Sequence, residues 1–282
     1  MSSPDRTHRS HLFAPATNER IIHKALESSA DAVVLDLEDS IDQSSRTVAH
    51  QILTSASEAI ARRPTHIRVG MIDGAYRLED VELAIALEVE AIRLPKVESS
   101  GAVASVGDRL AAGGCEATIH LTVESAAGLA ALADIVSVSE RVSRVVFGER
   151  DFLADMGVSE PGPITDHARA GIAIASRALS LAPPIDGAYI DLDDEQGLRQ
   201  ACERARNLGF GGKSALHPRQ LAVIHEVFSP SGEEIEWATK VVAAHDAALE
   251  RGNVTTVVDG RFIDEAVARR ARSVLSRREI EQ

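Results

Sequence analysis

The stretch Ala32-Val33-Val34-Leu35-Asp36-Leu37-Glu38-Asp39 is a short apolar run that ends in acidic residues. Runs of four to eight apolar residues, rich in β-branched side chains, are typical of strands buried on both faces of a parallel sheet. Seven further runs of this kind occur, at His11–Pro15, Thr65–Val69, Ala91–Pro95, Ala117–Val123, Arg144–Phe147, Ile185–Ile190 and Lys213–Leu216. The sequence therefore predicts eight strands, several of them followed directly by polar residues.

Segments with a helical spacing of apolar residues lie between these strands. The clearest are Arg20–Ser28, Asp80–Val89, Ala127–Val138, His167–Leu181 and Glu195–Leu208. Strands that alternate with helices indicate βαβ units, and therefore a parallel sheet with right-handed crossovers. Eight such units close more naturally as a (β/α)8 TIM barrel than as an open α/β sheet, which is the alternative on periodicity alone. The 282 residues suit the barrel, because that fold needs roughly 250.

The alternation stops after the eighth strand. Pro218–Val227 and Glu233–Glu250 both have helical spacing, and Asp259–Ile263 precedes an arginine-rich helix. We therefore predict a barrel over residues 1–228 and a C-terminal helical extension over residues 229–282. From the residues alone, the extension either caps its own barrel or reaches a neighbouring subunit.

The composition limits the classes of partner. Forty-three acidic residues against thirty basic ones give a net charge of −13, which disfavours nucleic-acid binding because phosphate contacts need clustered Lys and Arg. The two cysteines, Cys115 and Cys202, form no disulfide or zinc-binding pattern. No run reaches the roughly 18 apolar residues of a membrane span, and Met1–His8 has no apolar signal core. We expect a cytoplasmic protein that binds neither nucleic acid nor membrane.

Two carboxylates stand where neighbouring predicted strands end. Glu124 follows the fifth run and Asp151 lies shortly after the sixth, and in a (β/α)8 barrel the active site forms at these carboxyl ends. Mg²⁺ takes oxygen ligands and needs only one or two protein carboxylates, because it keeps several waters. A magnesium site is one interpretation of this pair, and a network of salt bridges is the other.

The second and third strands end in opposite charges. Asp36, Glu38 and Asp39 repel one another unless a cation or basic side chains neutralise them. Salt bridges to bases at the barrel mouth are thus the alternative to a catalytic role. Arg68 stands in an aliphatic strand, where it must face a carboxylate or an anionic ligand because an unpaired buried charge is costly.

Other catalytic patterns are missing from the sequence. The glycines form neither a GxGxxG motif nor a P-loop, and Ser125 lacks a nucleophile-elbow context. His120 and His217 form no zinc set, because no third ligand stands at a fitting spacing. His217 closes the eighth run, so it is either a functional residue of the barrel mouth or an ordinary structural histidine.

Short motifs follow one another along nearly the whole chain. In order they are Arg9–Ala16, Glu19-Arg20, Lys24-Ala25, Ala32–Ser40, Ile67–Val69, Arg93–Ser99, Val123–Gly128, Phe147–Phe152, Gly209–Pro218 and Asp259–Asp264. Each motif alone has low specificity, but the ordered series closely resembles the citrate lyase β-subunit-like and malyl-CoA lyase proteins of the HpcH/HpaI aldolase superfamily. One departure is Gly70, which stands where that family usually has Asn and so removes a hydrogen-bonding side chain near the substrate.

The resemblance implies a set of functional residues at the mouth of a barrel. Glu124 and Asp151 would bind Mg²⁺, while Glu38 and Asp39 would hold metal-bound waters. Two residues would be catalytic. Arg68 would hold the oxygen that becomes charged as a carbon–carbon bond breaks. Asp264, in the extension, would cap the active site of the next subunit of a homotrimer or hexamer. The residues implied for substrate or coenzyme A binding are Phe13, Arg20, Lys24, Arg68, Glu124, Arg150, Leu216 and His217.

The activity implied by the resemblance is that of a Mg²⁺-dependent carbon–carbon lyase. Such an enzyme cleaves or forms a β-hydroxy acyl-CoA, for example citryl-CoA or malyl-CoA, and the cleavage yields a keto acid and an acyl-CoA. The alternatives are a malyl- or citryl-CoA thioesterase, a keto-acid aldolase that needs no CoA, and a non-catalytic lyase subunit. The joint presence of Arg68, Glu124, Asp151 and Asp264 argues against the non-catalytic subunit.

Overall fold

The structure, a computed structural model, describes residues 8–280, with side chains described as far as Arg277. Apart from His8, the polar N-terminal segment therefore lies outside the described residues. The chain divides into two compact units between His225 and Glu226. The first unit contains the barrel, and the second contains the C-terminal helices.

The first unit is a closed barrel of eight parallel strands, which confirms the predicted (β/α)8 fold. The strands are β1 (Ser10–Pro15), β2 (Ala32–Asp36), β3 (Thr65–Arg68), β4 (Ala91–Leu94), β5 (Thr118–Val123), β6 (Val142–Phe147), β7 (Ile185–Asp186) and β8 (Gly212–Ala215). Each pairs with its neighbours in chain order, and β8 closes the barrel against β1. Strand β7 has two residues where six were predicted.

Helices alternate with these strands. Their bounds are α1 (Glu19–Leu26), α2 (Arg46–Ser55), α3 (Ser57–Ile60), α4 (Leu78–Ala86), α5 (Ser100–Ala112), α6 (Ala126–Ala130), α7 (Leu132–Val136), α8 (Glu149–Asp155), α9 (Pro163–Ala178), α10 (Glu195–Asn207), α11 (Leu221–Phe228), α12 (Gly232–Glu250) and α13 (Glu265–Ile280). The single helix predicted over Ala127–Val138 is thus two short ones, α6 and α7.

A short hairpin interrupts the passage from β3 to α4. Met71–Ile72 pairs antiparallel with Ala75–Tyr76, and the turn residues Asp73 and Gly74 have positive φ angles of 50° and 78°. An Asp-Gly pair suits such a two-residue turn, because Gly has no Cβ to oppose a positive φ. The hairpin, which the apolar pattern did not predict, brings Tyr76 to the carboxyl end of the barrel.

Strand register decides which side chains point into the barrel. Asp36 pairs with Arg68, Arg68 with Arg93, Arg93 with His120, and His120 with Arg144, across five successive strands. Residues in register share a face of the sheet, so these polar side chains face the barrel interior. The intervening positions are mostly aliphatic and are buried under the surrounding helices.

The second unit contains α12, α13 and a small hairpin. The strands Thr256–Val258 and Arg261–Ile263 pair antiparallel. The buried core consists of Ala238, Val241, Val258, Ile263 and Ala271. Across the whole described range, 8–280, the helices are too short or too polar to cross a membrane.

Candidate active site

Glu124 and Asp151 line one cavity at the carboxyl end of the barrel. Its volume is about 480 Å³, and its walls also include Tyr76, Lys96 and Glu98. Glu124 directly follows β5, whereas Asp151 lies in the first turn of α8, four residues beyond the end of β6. The cavity thus brings together the two carboxylates predicted to bind metal, although only Glu124 stands at a strand end.

Glu124 is held in place by close backbone contacts. Glu124 is 4% exposed as a residue, and its Oε2 accepts a hydrogen bond from the backbone N–H of Lys96 at 3.2 Å. A Cβ at residue 148 would lie 2.3 Å from Glu124 Cγ. Gly148 is therefore required where β6 leads into α8, because any side chain there would displace the Glu124 carboxylate.

The electrostatics at Glu124 suit a divalent cation. Burial, followed by the negative charges of Glu38 and Asp151, raises the pKa of Glu124 to about 8, although Arg68 and Lys96 act in the opposite direction. A cation bound between the carboxylates would remove this repulsion. The converging groups are carboxylate oxygens, the hard ligands that Mg²⁺ prefers. Glu124 and Asp151 therefore fit a magnesium ion.

Arg68 is enclosed by carboxylates. It forms a bidentate pair with Asp36 at 2.7 and 2.8 Å, and contacts Glu38 at 2.9 Å and Asp39 at 3.2 Å. These three negative partners raise the pKa of Arg68 above its already high value. The guanidinium also lies 5.0 Å from the ring centre of Phe13. The acidic end of β2 is therefore neutralised by salt bridges, which was the alternative considered from the sequence.

Lys96 and Tyr76 are site residues that the sequence did not reveal. Lys96 Nζ lies 2.8 Å from Glu38 and 3.7 Å from Asp39. The Tyr76 hydroxyl donates to the Pro95 carbonyl at 3.0 Å, and burial together with nearby carboxylates raises the pKa of Tyr76 above its usual range. Lys96 could have been found from its position directly after the fourth apolar run. Tyr76 could have been found only by recognising the Asp-Gly turn.

A buried ion pair joins the ends of β2 and β3. Arg46 contacts Asp80 at 2.5 Å and donates to the Leu37 carbonyl at 2.9 Å. The same Asp80 carboxylate accepts from the backbone N–H of Gly70 at 2.8 Å. His50 contacts its other oxygen at 2.7 Å. This network holds the backbone on both sides of the Asp36–Arg68 pair.

The residues implied for coenzyme A binding are mostly on the surface. Arg20 and Lys24 are exposed on α1, and Arg150 is exposed on α8. Leu216 and His217 follow β8 and are also exposed, but their backbone N–H groups both point to Gln220 Oε1, at 2.8 and 3.3 Å. Their role in binding coenzyme A stays a prediction.

Asp264 belongs to the second unit rather than to the barrel. It is half-buried, and its Oδ1 accepts from the backbone N–H of Val267 at 2.9 Å. This contact is that of an N-cap at the start of α13. A carboxylate has two oxygens, so the capping contact is compatible with a catalytic role for Oδ2, and that role also stays a prediction.

A parallel barrel whose mouth carries clustered carboxylates, an arginine and a lysine defines an enzyme of the (β/α)8 class with a site for a divalent metal. The chain belongs to the HpcH/HpaI aldolase/citrate lyase family, whose model matches residues 9–218. The match confirms the resemblance seen in the motifs.

Similar proteins of this family act on acyl-CoA compounds according to their names. A (3S)-malyl-CoA thioesterase of Cereibacter sphaeroides is 33% identical over 275 residues, which cover 96% of this chain and 94% of that protein. An L-malyl-CoA/beta-methylmalyl-CoA lyase of Rhodobacter capsulatus is 31% identical over 99% of this chain and 96% of that protein. The crystal structure of CitE from Mycobacterium tuberculosis in complex with magnesium, acetoacetate and coenzyme A is 25% identical, with a TM-score of 0.80 over 97% of this chain and 99% of that one.

Proposed function

We propose that this protein is a Mg²⁺-dependent carbon–carbon lyase that acts on a β-hydroxy acyl-CoA of the malyl-CoA or citryl-CoA type. The observation that carries the proposal is the buried Glu124 carboxylate, which faces one cavity with Asp151 and has its pKa raised by neighbouring acidic groups. Mg²⁺ held by Glu124 and Asp151 would supply a Lewis acid that polarises substrate oxygens. Glu38 and Asp39 would hold the waters around it.

Arg68 would stabilise the charge that develops during cleavage. When the bond between the α- and β-carbons breaks, a base takes the hydroxyl proton and the hydroxyl carbon becomes the keto group. The electron pair of the broken bond passes to the thioester, which becomes an enolate. A fixed guanidinium beside the charged oxygen lowers the barrier. Of the three carboxylates around Arg68, only the Asp39 side chain is largely exposed, at 55%. A substrate oxygen would therefore replace Asp39 most easily as a partner of the Arg68 guanidinium.

The remaining roles rest on the family resemblance. Phe13, Arg20, Lys24, Arg150 and the Leu216-His217 backbone would bind coenzyme A and substrate. Asp264 would return a proton to the enolate carbon of acetyl-CoA. It would do so in the active site of a neighbouring subunit, within a trimer or hexamer. The protein would be cytoplasmic. Mixing two impaired variants, Arg68→Lys and Asp264→Asn, tests the shared site. Mixed oligomers would regain intact sites, and therefore activity, only if the arm crosses between subunits.

The products distinguish the lyase from its alternatives. With Mg²⁺ and malyl-CoA, a lyase yields glyoxylate and acetyl-CoA and releases no free thiol. We expect keto acid to accumulate, and both Glu124→Gln and Asp151→Asn to abolish it. Glu160→Gln, an exposed carboxylate after α8, is the matched control and should behave as wild type. Keto acid formed only from substrates without CoA would contradict the proposal.

The second candidate is a thioesterase, which the 33% identical relative of that name favours. In this reaction water attacks the thioester carbon of malyl-CoA, so the products are malate and free CoA. A thiol reagent would then detect CoA without any glyoxylate. If neither product forms while Mg²⁺ and acyl-CoA still bind, the chain is a non-catalytic subunit.

A further inference from the structure

A cluster of histidines lies at the opposite end of the barrel, where the strands begin. His8 precedes β1, His66 is the second residue of β3, and Glu90 immediately precedes β4. His8 and His66 are buried, whereas the side chain of Glu90 is 34% exposed. These three residues, which we call the floor cluster, combine two imidazoles with one carboxylate at the edge of the solvent.

The ligand atoms of the floor cluster are near metal-binding distances from one another. His8 Nδ1 lies 3.6 Å and His66 Nε2 lies 4.0 Å from Glu90 Oε1, and one ligand atom from each residue lies within 4.8 Å of the others. Ligands placed tetrahedrally at about 2.0–2.1 Å from Zn²⁺ are about 3.4 Å apart. The two histidine–Glu90 distances exceed this spacing by about 0.2 and 0.6 Å. Side-chain adjustments that also bring the two imidazoles to this spacing, from a separation of at most 4.8 Å, would complete three of four tetrahedral positions.

We propose that the floor cluster binds a transition-metal dication of the Zn²⁺ type through His8, His66 and Glu90, with water as the fourth ligand. Imidazole nitrogens together with a carboxylate suit Zn²⁺, Co²⁺ or Fe²⁺, whereas Mg²⁺ prefers oxygen ligands alone. The ion would connect the beginnings of β1, β3 and β4. Residues at this end of a (β/α)8 barrel serve stability rather than catalysis, so the proposal is independent of the lyase activity.

A deeper trio of buried histidines, His11, His66 and His120, shares one residue with the floor cluster. Arg93 Nη2 lies 2.6 Å from His11 Nδ1, and a guanidinium can only donate, so Nδ1 accepts and the proton of a neutral His11 is on Nε2. Burial and the Arg93 charge lower the pKa of His11 well below its ordinary value and keep the ring neutral. His11 thus has no lone pair to offer while this hydrogen bond persists, so the deeper trio does not supply three ligands.

The charge of Glu90 is the central requirement of the proposal. Arg93 and Arg144 inside the barrel repel a cation, and the Glu90 carboxylate is the anionic group that offsets this repulsion. Replacing Glu90 by Gln keeps the shape of the side chain and removes its charge. His8→Gln removes one imidazole. Glu116→Gln, an exposed carboxylate just before β5 at the same end of the barrel, is the matched control.

The test uses the full chain, stripped of metal and kept in excess Mg²⁺ so that the mouth carboxylates are occupied. Zn²⁺ affinity is measured by competition with a chromophoric chelator, and Co²⁺ coordination by its visible absorption. We expect one Zn²⁺ per chain and a tetrahedral Co²⁺ spectrum. Loss of a direct ligand in Glu90→Gln or His8→Gln should weaken Zn²⁺ binding by about 100-fold or more, while Glu116→Gln stays unchanged and lyase activity is retained.

Two results would overturn the proposal. One is a wild-type Zn²⁺ affinity no higher than that of Glu90→Gln. The other is loss of the Zn²⁺ equivalent in Glu124→Gln, which would locate the ion at the mouth. Circular dichroism of the metal-free variants separates loss of a ligand from loss of the fold. If His8→Gln fails to fold, Glu90→Gln decides the question, because its side chain is partly exposed and tolerates the change.

Discussion

The raised pKa of Glu124 makes magnesium binding depend on pH. Mg²⁺ binds the carboxylate and not the carboxylic acid, so a protonated Glu124 must first lose its proton. With a pKa of about 8, Glu124 is about 1% ionised at pH 6, about 9% at pH 7 and about 91% at pH 9. The apparent Mg²⁺ affinity should therefore rise about tenfold from pH 6 to 7 and about tenfold again from pH 7 to 9.

Isothermal titration calorimetry measures both parts of this prediction. The affinity is followed from pH 6 to 9, and titrations in buffers of different ionisation enthalpy count the protons released. Below pH 7 about one proton should leave for each Mg²⁺ bound. Glu38→Gln removes the largest charge that raises the pKa of Glu124, so the rise in affinity should move to lower pH. Glu160→Gln should leave it in place.

The stability of the metal-free fold should change in the opposite direction with pH. Because the pKa of Glu124 rises from an ordinary 4.5 to about 8 on folding, the folded state binds this proton more tightly than the unfolded state does. The contribution of the Glu124 proton to folding stability is complete below pH 4.5 and is lost as the pH rises through about 8.

A Mg²⁺ affinity that stays flat between pH 6 and 8, with no proton release, would refute this account of Glu124.

Three substitutions test other parts of the site. Arg68→Lys breaks the bidentate pair and should lower kcat by about 100-fold while calorimetry still detects Mg²⁺ binding; unchanged turnover would remove Arg68 from the mechanism. Gly148→Ala should weaken Mg²⁺ binding, because the new Cβ would lie 2.3 Å from Glu124 Cγ. The control is Gly162→Ala, whose Cβ would meet no heavy atom of the described residues within 4 Å. Asp264→Asn keeps an oxygen that can cap α13, so the melting temperature should be unchanged. Exchange of the acetyl-CoA methyl protons with solvent should slow, because the amide cannot transfer a proton as the carboxyl group does. Exchange at the wild-type rate would argue against the proton-transfer role.

Apolar runs that alternate with helical segments predicted the barrel, because each of the eight strands overlaps one of the eight runs. The seventh run shows where this information ends. Residues Ile185–Ile190 were predicted as one strand, but only Ile185 and Asp186 pair with β6 and β8. The run's last residue, Ile190, is 57% exposed. Membership of a sheet depends on a partner strand, which a local apolar pattern does not contain.

The same limit separates the site residues that were predicted from those that were missed. Glu124 was found because it directly follows a run, which is a local property. His120 was compared with His217 and judged to have no third zinc ligand, whereas the structure places it beside His11 and His66 on β1 and β3. These histidines are far apart in the chain and adjacent only through strand register. Once the strand register is known, the alternation of inward- and outward-facing side chains along each strand places the three histidines on the same inner face of the barrel.

Gly70 gives a structural reason for a departure from the family pattern. A Cβ at this position would lie 2.6 Å from Arg46 Nη2 and 2.8 Å from the Leu37 carbonyl, so the Arg46 guanidinium fills the space that an asparagine side chain would need. The Arg46–Asp80 pair occupies this position, and its carboxylate accepts a hydrogen bond from the Gly70 N–H. Because Arg46 also donates to the Leu37 carbonyl, one buried pair holds the strand ends on either side of Arg68.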